Sequence, residues 1–114
     1  MPFIRTTVSK EVTDREVKLI KEAFGRDIAL VSGKAECYLM LSVEGGVKMA
    51  YQGDMDTPCA LAEVQLLGEA DPKELNDLTA AITKTLYDVL GIAPARTYVN
   101  YTFFKCWGVG GSNV

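Results

Sequence analysis

The chain has 114 residues, with Lys and Arg totalling 12, Asp and Glu totalling 15 and a formal net charge of −3, so one domain with a moderate core is expected, a core that association with other copies would enlarge. No long basic run is present to meet phosphates, so nucleic-acid binding is disfavoured; apolar runs are far too short for a bilayer and no cleavable signal pattern opens the chain, so no membrane partner and a cytoplasmic location are expected. Cys37, Cys59 and Cys106 are an odd set without a close pair, which fits a reducing compartment, and the absence of histidine removes His-dependent triads and His-based metal sites.

Met1 to Val8 reads as a strand, with apolar bulk at Phe3, Ile4 and Val8 and β-branching at Thr6 and Thr7. Pro2 is its unusual residue. Removal of Met1, for which the small second residue is suited, would leave a secondary amine at the head of a strand. Proline there loses no ladder bond, because a terminal amine is not an amide donor. Taken alone, the stretch is also a plain chain start. Thr13 to Glu16 is a capping box, and Val12 and Val17 can form a hydrophobic staple. Val17, Ile20, Phe24, Ile28 and Val31 then form one apolar face, which predicts a helix running to a stop at Gly33. Gly25 lies inside it and costs about 1 kcal/mol relative to alanine.

Glu36 to Val43 is the next expected strand, with Cys37, Leu39, Leu41 and Val43 on one face, Tyr38 and Met40 on the other, and Gly45 and Gly46 ending it. Val47 to Tyr51 fits a short strand and Gln52 to Thr57 a polar loop. Pro58 opens a strand over Cys59 to Leu67. Asp71 caps a second helix, with Pro72 at its first position, Leu75, Leu78, Ile82, Leu86 and Val89 as its stripe and Gly91 as its stop. Thr97 to Phe104 is a long aromatic strand. The Gly-rich tail after it lacks the lysine and helix of a phosphate loop, and fits a short edge strand pairing with a neighbouring subunit.

Cap, stripe and stop of the first half recur 58 positions later: Thr13 with Asp71, Phe24 with Ile82, Gly33 with Gly91. The expected fold is therefore α/β of the α+β kind. Residues 1–114 form a single domain of two β-α-β repeats, about 1–45 and 58–104, with a tail over 105–114. One mixed four-stranded sheet carries both helices on one face, plus short edge strands. The other sheet face, bearing Tyr38 and Met40, would be bare in a monomer and covered in a closed homo-oligomer.

Met1-Pro2 opening a strand, Gly33-Lys34 after the first helix, Pro58-Cys59-Ala60-Leu61, Gly91-Ile92 and Arg96-Thr97-Tyr98-Val99-Asn100-Tyr101 together resemble the macrophage migration inhibitory factor and D-dopachrome tautomerase family. The likeness runs over nearly the whole chain. It implies a homotrimer with a pocket at each subunit boundary. It also implies an isomerase that tautomerises aromatic α-keto acids of the phenylpyruvate type and needs no cofactor. Pro2, freed by loss of Met1, is implied as the catalytic base. Lys34 is implied to hold the substrate carboxylate, and Leu67 stands where the family has isoleucine. Tyr98 and Asn100 would come from the adjacent subunit, and Val109 from the tail. The chemistry is sound, because an α-amine starts near 8, below lysine at about 10.4, and burial beside Lys34 lowers it further. Read without the resemblance, Lys34 is an ordinary solvated side chain near a helix end, Tyr98 and Asn100 are packing residues, and Cys59 is a small buried hydrophobe.

Two departures stand out. Ala62 replaces the second cysteine of the family's Cys-x-x-Cys pair, which removes the resolving thiol, and Trp107 precedes the family's tail tryptophan, whose place Gly111 holds. The alternative reading is a cytokine-like signalling or interaction protein with a weak pocket and a receptor partner. The resemblance also implies that export without a signal peptide is compatible with such a chain.

Overall fold

The computed structural model describes residues 1–114. Strand β1 (Pro2–Val8) buries Pro2, Ile4, Thr6 and Val8 on one side and turns Phe3, Arg5 and Thr7 to the other. Helix α1 (Asp14–Asp27) starts with the reciprocal cap: Thr13 Oγ1 accepts from the Glu16 N–H at 3.2 Å, and Glu16 Oε1 accepts from the Thr13 N–H at 2.9 Å. The α-helix does not continue to Gly33. Ile28–Leu30 tightens into a 3-10 turn, in which side chains three apart eclipse, so Ile28 and Val31 both stay in the core. Gly33 follows at φ +82°.

The strand expected over Glu36 to Val43 is shorter. Glu36–Tyr38 forms a 3-10 turn, and β2 runs Met40–Glu44. Its first rung pairs Met40 with Phe3, and β1 begins only one residue earlier, so Cys37 and Tyr38 have no strand to pair with. Leu41 and Val43 face the core, while Met40 lies on the open face without Tyr38. Val47 to Tyr51 is not a strand either. Gly46 and Val47 donate to the carbonyls of Lys10 and Val8 at 2.8 and 3.1 Å, after which the chain leaves the sheet, since β2 and β3 already occupy both edges of β1. Only an isolated bridge joins Tyr51 to Asp54.

Strand β3 (Ala60–Leu67) starts one residue after Cys59, whose N–H is taken by Ser9 Oγ at 2.9 Å. Helix α2 (Pro72–Leu90) is capped by Asp71, which accepts from the Lys73 N–H at 2.9 Å, and closes at left-handed Gly91 with φ +71°. Strand β4 (Thr97–Phe104) has the expected span. In the tail, β5 (Gly108–Val109) and β6 (Ser112–Asn113) pair with each other across Gly110 and Gly111.

The sheet order is β2-β1-β3-β4, with β1/β2 and β3/β4 parallel and the central β1/β3 pair antiparallel. Both parallel pairings join residues 37 apart, as in Phe3 with Met40 and Ala60 with Thr97. Arg5 faces Glu63 at the middle of the antiparallel pair, and the two form an ion pair at 3.1 Å on the open face. The helices pack together over the other face. Ile20, Phe24, Leu78, Ile82 and Leu86 meet Ile4, Val8, Val64 and Leu66 there in a closed apolar cluster. Burying each such side chain contributes about 1.5–3 kcal/mol relative to exposure. No helix is long and apolar enough to cross a membrane.

Candidate functional site

A cavity of about 560 Å³ opens at the head of β1. Its walls are Met1, Pro2, Cys37, Tyr38, Met40, Trp107, Gly108, Val109 and Gly110. Four local features build it. Pro2 is the first residue of β1 and is buried. The 3-10 turn of Glu36–Tyr38 brings Cys37 and Tyr38 to the wall, and Met40 enters as the first residue of β2. The tail hairpin supplies the remainder. It is set by Trp107, whose ring meets Phe104 edge-on at 5.8 Å and whose carbonyl accepts from the Val114 N–H at 2.9 Å.

Lys34 reaches the same end of the sheet from the loop after α1. Its Nζ donates to the Leu67 carbonyl at 2.8 Å, and the Leu67 N–H donates to the Met1 carbonyl at 3.1 Å. Lys34, Leu67 and the chain start are thus tied together. The amine of Met1 is held below its ordinary value, first by burial, then by the Lys34 charge and its hydrogen bond. The cavity wall contains no carboxylate, and Cys37 is its one thiol, so it offers no metal-binding set. The arrangement sets the chain-terminal amine next to a cation, within largely apolar walls.

Of the residues singled out in the sequence, Pro2 and Val109 share the cavity, and Lys34 and Leu67 adjoin it through the hydrogen bonds above. Tyr98 and Asn100 lie elsewhere in the single chain. They pair with Leu61 and Glu63, whereas Pro2 pairs with Leu66. Five rungs at about 3.3 Å per residue put Tyr98 about 16 Å along the sheet. There Tyr98 meets the Tyr51 ring edge-on at 5.2 Å. Tyr51 raises the Tyr98 phenol above its ordinary value, through hydrogen bonding first and then charge, with burial adding to both. Sequence reading missed Cys37, Tyr38, Met40 and Trp107 as wall residues. Cys37 and Tyr38 fit a strand's alternation, which masks the turn that brings them to the wall, whereas Met40 is on the expected strand and faces the cavity from its first position. Trp107 did carry a signal, being the one tryptophan of the chain, at the edge of a Gly-rich tail.

Residues 1–113 match the macrophage migration inhibitory factor family. The homologue from Brugia malayi is 34% identical over 74 residues, which are 65% of this chain and 64% of the Brugia protein's own length. The homologue from Trichuris trichiura is 31% identical over 83 residues, 73% of this chain and 72% of that one. Among solved structures, Leishmania major MIF2 superposes with a TM-score of 0.93 at 29% identity, covering 100% of this chain and 97% of its own. With a match across all but its last residue and the same fold at full length, the chain belongs to the macrophage migration inhibitory factor family, within the tautomerase superfamily.

Proposed function

We propose that the protein is a cofactor-independent keto–enol tautomerase for aromatic α-keto acids, with Pro2 as general base once Met1 is removed. The observation that carries this reading is Pro2 itself, buried at the head of β1 in the cavity wall, with the Met1 amine one residue before it held below its ordinary value by burial and by Lys34. The α-amine that loss of Met1 leaves on Pro2 starts from about 8, well below a lysine, and burial and the Lys34 charge act on it in the same downward direction, which suits a base. In the reaction the Pro2 nitrogen takes a proton from the carbon beside the substrate ketone. The electron pair moves to the ketone oxygen as the enolate, and the proton is returned to that oxygen to give the enol. Lys34 holds the substrate carboxylate, and the aryl group lies against Tyr38, Met40 and Trp107. Leu67 and Val109 shape the apolar wall. Tyr98, about 16 Å along the sheet in its own chain, and Asn100, about 10 Å, serve the cavity of the next copy in a homotrimer, with Tyr98 donating to the enolate oxygen.

Intact mass establishes Met1 removal, and a rate assay with an enolisable aryl pyruvate compares wild type with Pro2→Gly. A large loss of kcat/KM in Pro2→Gly is expected; an unchanged rate in a processed preparation overturns the reading. Membership of a family named for a macrophage-directed factor favours one second reading, a signalling protein. Saturable receptor binding that survives Pro2→Gly would support it.

A further inference from the structure

The segment between β2 and β3 contains no helix or strand, yet it is held more firmly than a connection needs. Tyr51 and Asp54 exchange backbone hydrogen bonds at 3.1 and 3.0 Å across Gln52 and Gly53, both at positive φ. Asp54 Oδ1 accepts from the N–H groups of Asp56 and Thr57 at 2.8 and 3.1 Å. Arg96, the residue before β4, then clamps the segment. Its guanidinium donates to the carbonyls of Pro58, Tyr51, Asp54 and Thr57 at 3.1, 3.3, 3.2 and 2.9 Å. The Asp54 carboxylate is more distant, at 3.8 Å, and the arginine side chain is only 11% exposed. An arginine whose fork is given over to four carbonyls of one short segment fixes backbone geometry rather than pairing charge.

The clamp has a direction. The guanidinium lies over the Tyr51 ring at 5.2 Å, and that ring abuts Tyr98 edge-on at 84°. Tyr98 is otherwise open to solvent, with 58% of its surface exposed. Without Tyr51 its ring would sample several rotamers.

We propose that Tyr51, held by Arg96, is a positioning residue that orients the Tyr98 phenol for the substrate, so that the two tyrosines act as one unit. The proposal rests on the reading above that Tyr98 contacts substrate bound at a neighbouring copy's Pro2. The raised Tyr98 phenol is consistent with it, since a phenol kept protonated remains a hydrogen-bond donor.

The test is a double-mutant cycle on aryl pyruvate tautomerisation with the full-length processed protein, using Tyr51→Ala, Tyr98→Phe and the pair. Tyr51→Ala is expected to lower kcat/KM about tenfold, and that loss is expected to shrink to within about twofold in the Tyr98→Phe background. Tyr51→Phe keeps the ring and is expected to recover most of the rate, and Tyr51→Leu, which also removes the ring, replaces Tyr51→Ala in the cycle if the alanine variant does not fold. In Tyr51→Phe, the Tyr98 phenol, followed by NMR of labelled tyrosines, is expected to titrate at lower pH. Independent, multiplying losses in the cycle, or no rate change in an enzyme that Pro2→Gly inactivates, overturn the proposal while leaving the tautomerase reading intact. An inactive wild type, or one indifferent to Pro2→Gly, overturns both.

Discussion

Thr6 offers a sharp test of how the core is assembled. It is fully buried on the helix-facing side of β1, between Ile4 and Val8, with Val43 and Ala62 on the adjoining strands, and its Oγ1 has no hydrogen-bond partner. An unpartnered hydroxyl in such a place costs about 1–3 kcal/mol in lost hydration. Thr6→Val removes the hydroxyl, keeps the β-branch that suits a strand and leaves no cavity. The expected outcome is a gain of about 1–2 kcal/mol, or about 4–8 °C in thermal midpoint for a domain of this size. Thr6→Ser is the control. It keeps the hydroxyl and deletes a buried methyl, and is expected to lose about 1 kcal/mol. Thermal unfolding followed by circular dichroism at one fixed protein concentration reads both, because association also raises the midpoint. Equal or lower stability in Thr6→Val would show that the hydroxyl is satisfied in the folded protein, and the argument would fail.

Further outcomes concern the site and the connections. Lys34 lowers the Met1 amine, and the same charge acts on the Pro2 amine once Met1 is removed, so Lys34→Met is expected to move the acid limb of the kcat/KM profile to higher pH, besides weakening substrate binding; a limb that stays in place refutes the electrostatic role. Asp54 is held at about 2 rather than 3.8, first by hydrogen bonding to Thr57 and Asp56 and then by Arg96. Its contribution to stability is therefore complete above the ordinary value and is lost as pH falls from there through about 2. Over that window, wild type is expected to lose more thermal stability than Asp54→Asn. Gly91→Ala places a side chain at φ +71° and is expected to cost about 1 kcal/mol in urea unfolding.

What the sequence disclosed was what neighbouring residues decide for themselves. Thr13 with Glu16, Asp71 with Pro72 and left-handed Gly91 settle the helix ends within a few positions, and the apolar stripes identify the faces that pack. Decisions made by distant partners stayed hidden. The alternation from Cys37 to Val43 satisfied a strand's period, but a strand also needs a neighbour, and β1, which begins at Pro2, does not reach back to Cys37 and Tyr38. Gly25 gave no reason for its place in a helix. In the structure the Glu36 side chain lies over its α-carbon, and a Cβ there would make that side chain shift. That contact joins α1 to the turn carrying Cys37 and Tyr38, so the glycine and the cavity wall became intelligible together. The Arg96 clamp was hidden for the same reason, because its acceptors lie some forty positions earlier in the chain.

Equivalent rungs in the two halves explain why one end of the sheet is open and the other closed. Since both parallel pairings share a 37-residue step and Arg5 faces Glu63 across the centre, Pro2 corresponds to Ala60, Tyr38 to Arg96 and Met40 to Tyr98. Pro2, Tyr38 and Met40 line the cavity. Their counterparts are occupied: Ala60 is buried, Arg96 holds the carbonyls of the Tyr51–Pro58 segment, and Tyr98 is backed by Tyr51. The sheet itself does not distinguish the two ends. The difference lies in the segments that cover them, a short hairpin that leaves room and a clamped loop that does not. Ala60, the counterpart of Pro2, has a nitrogen that is an amide in mid-chain and no base. A cavity with a terminal amine can therefore arise only at the head of β1.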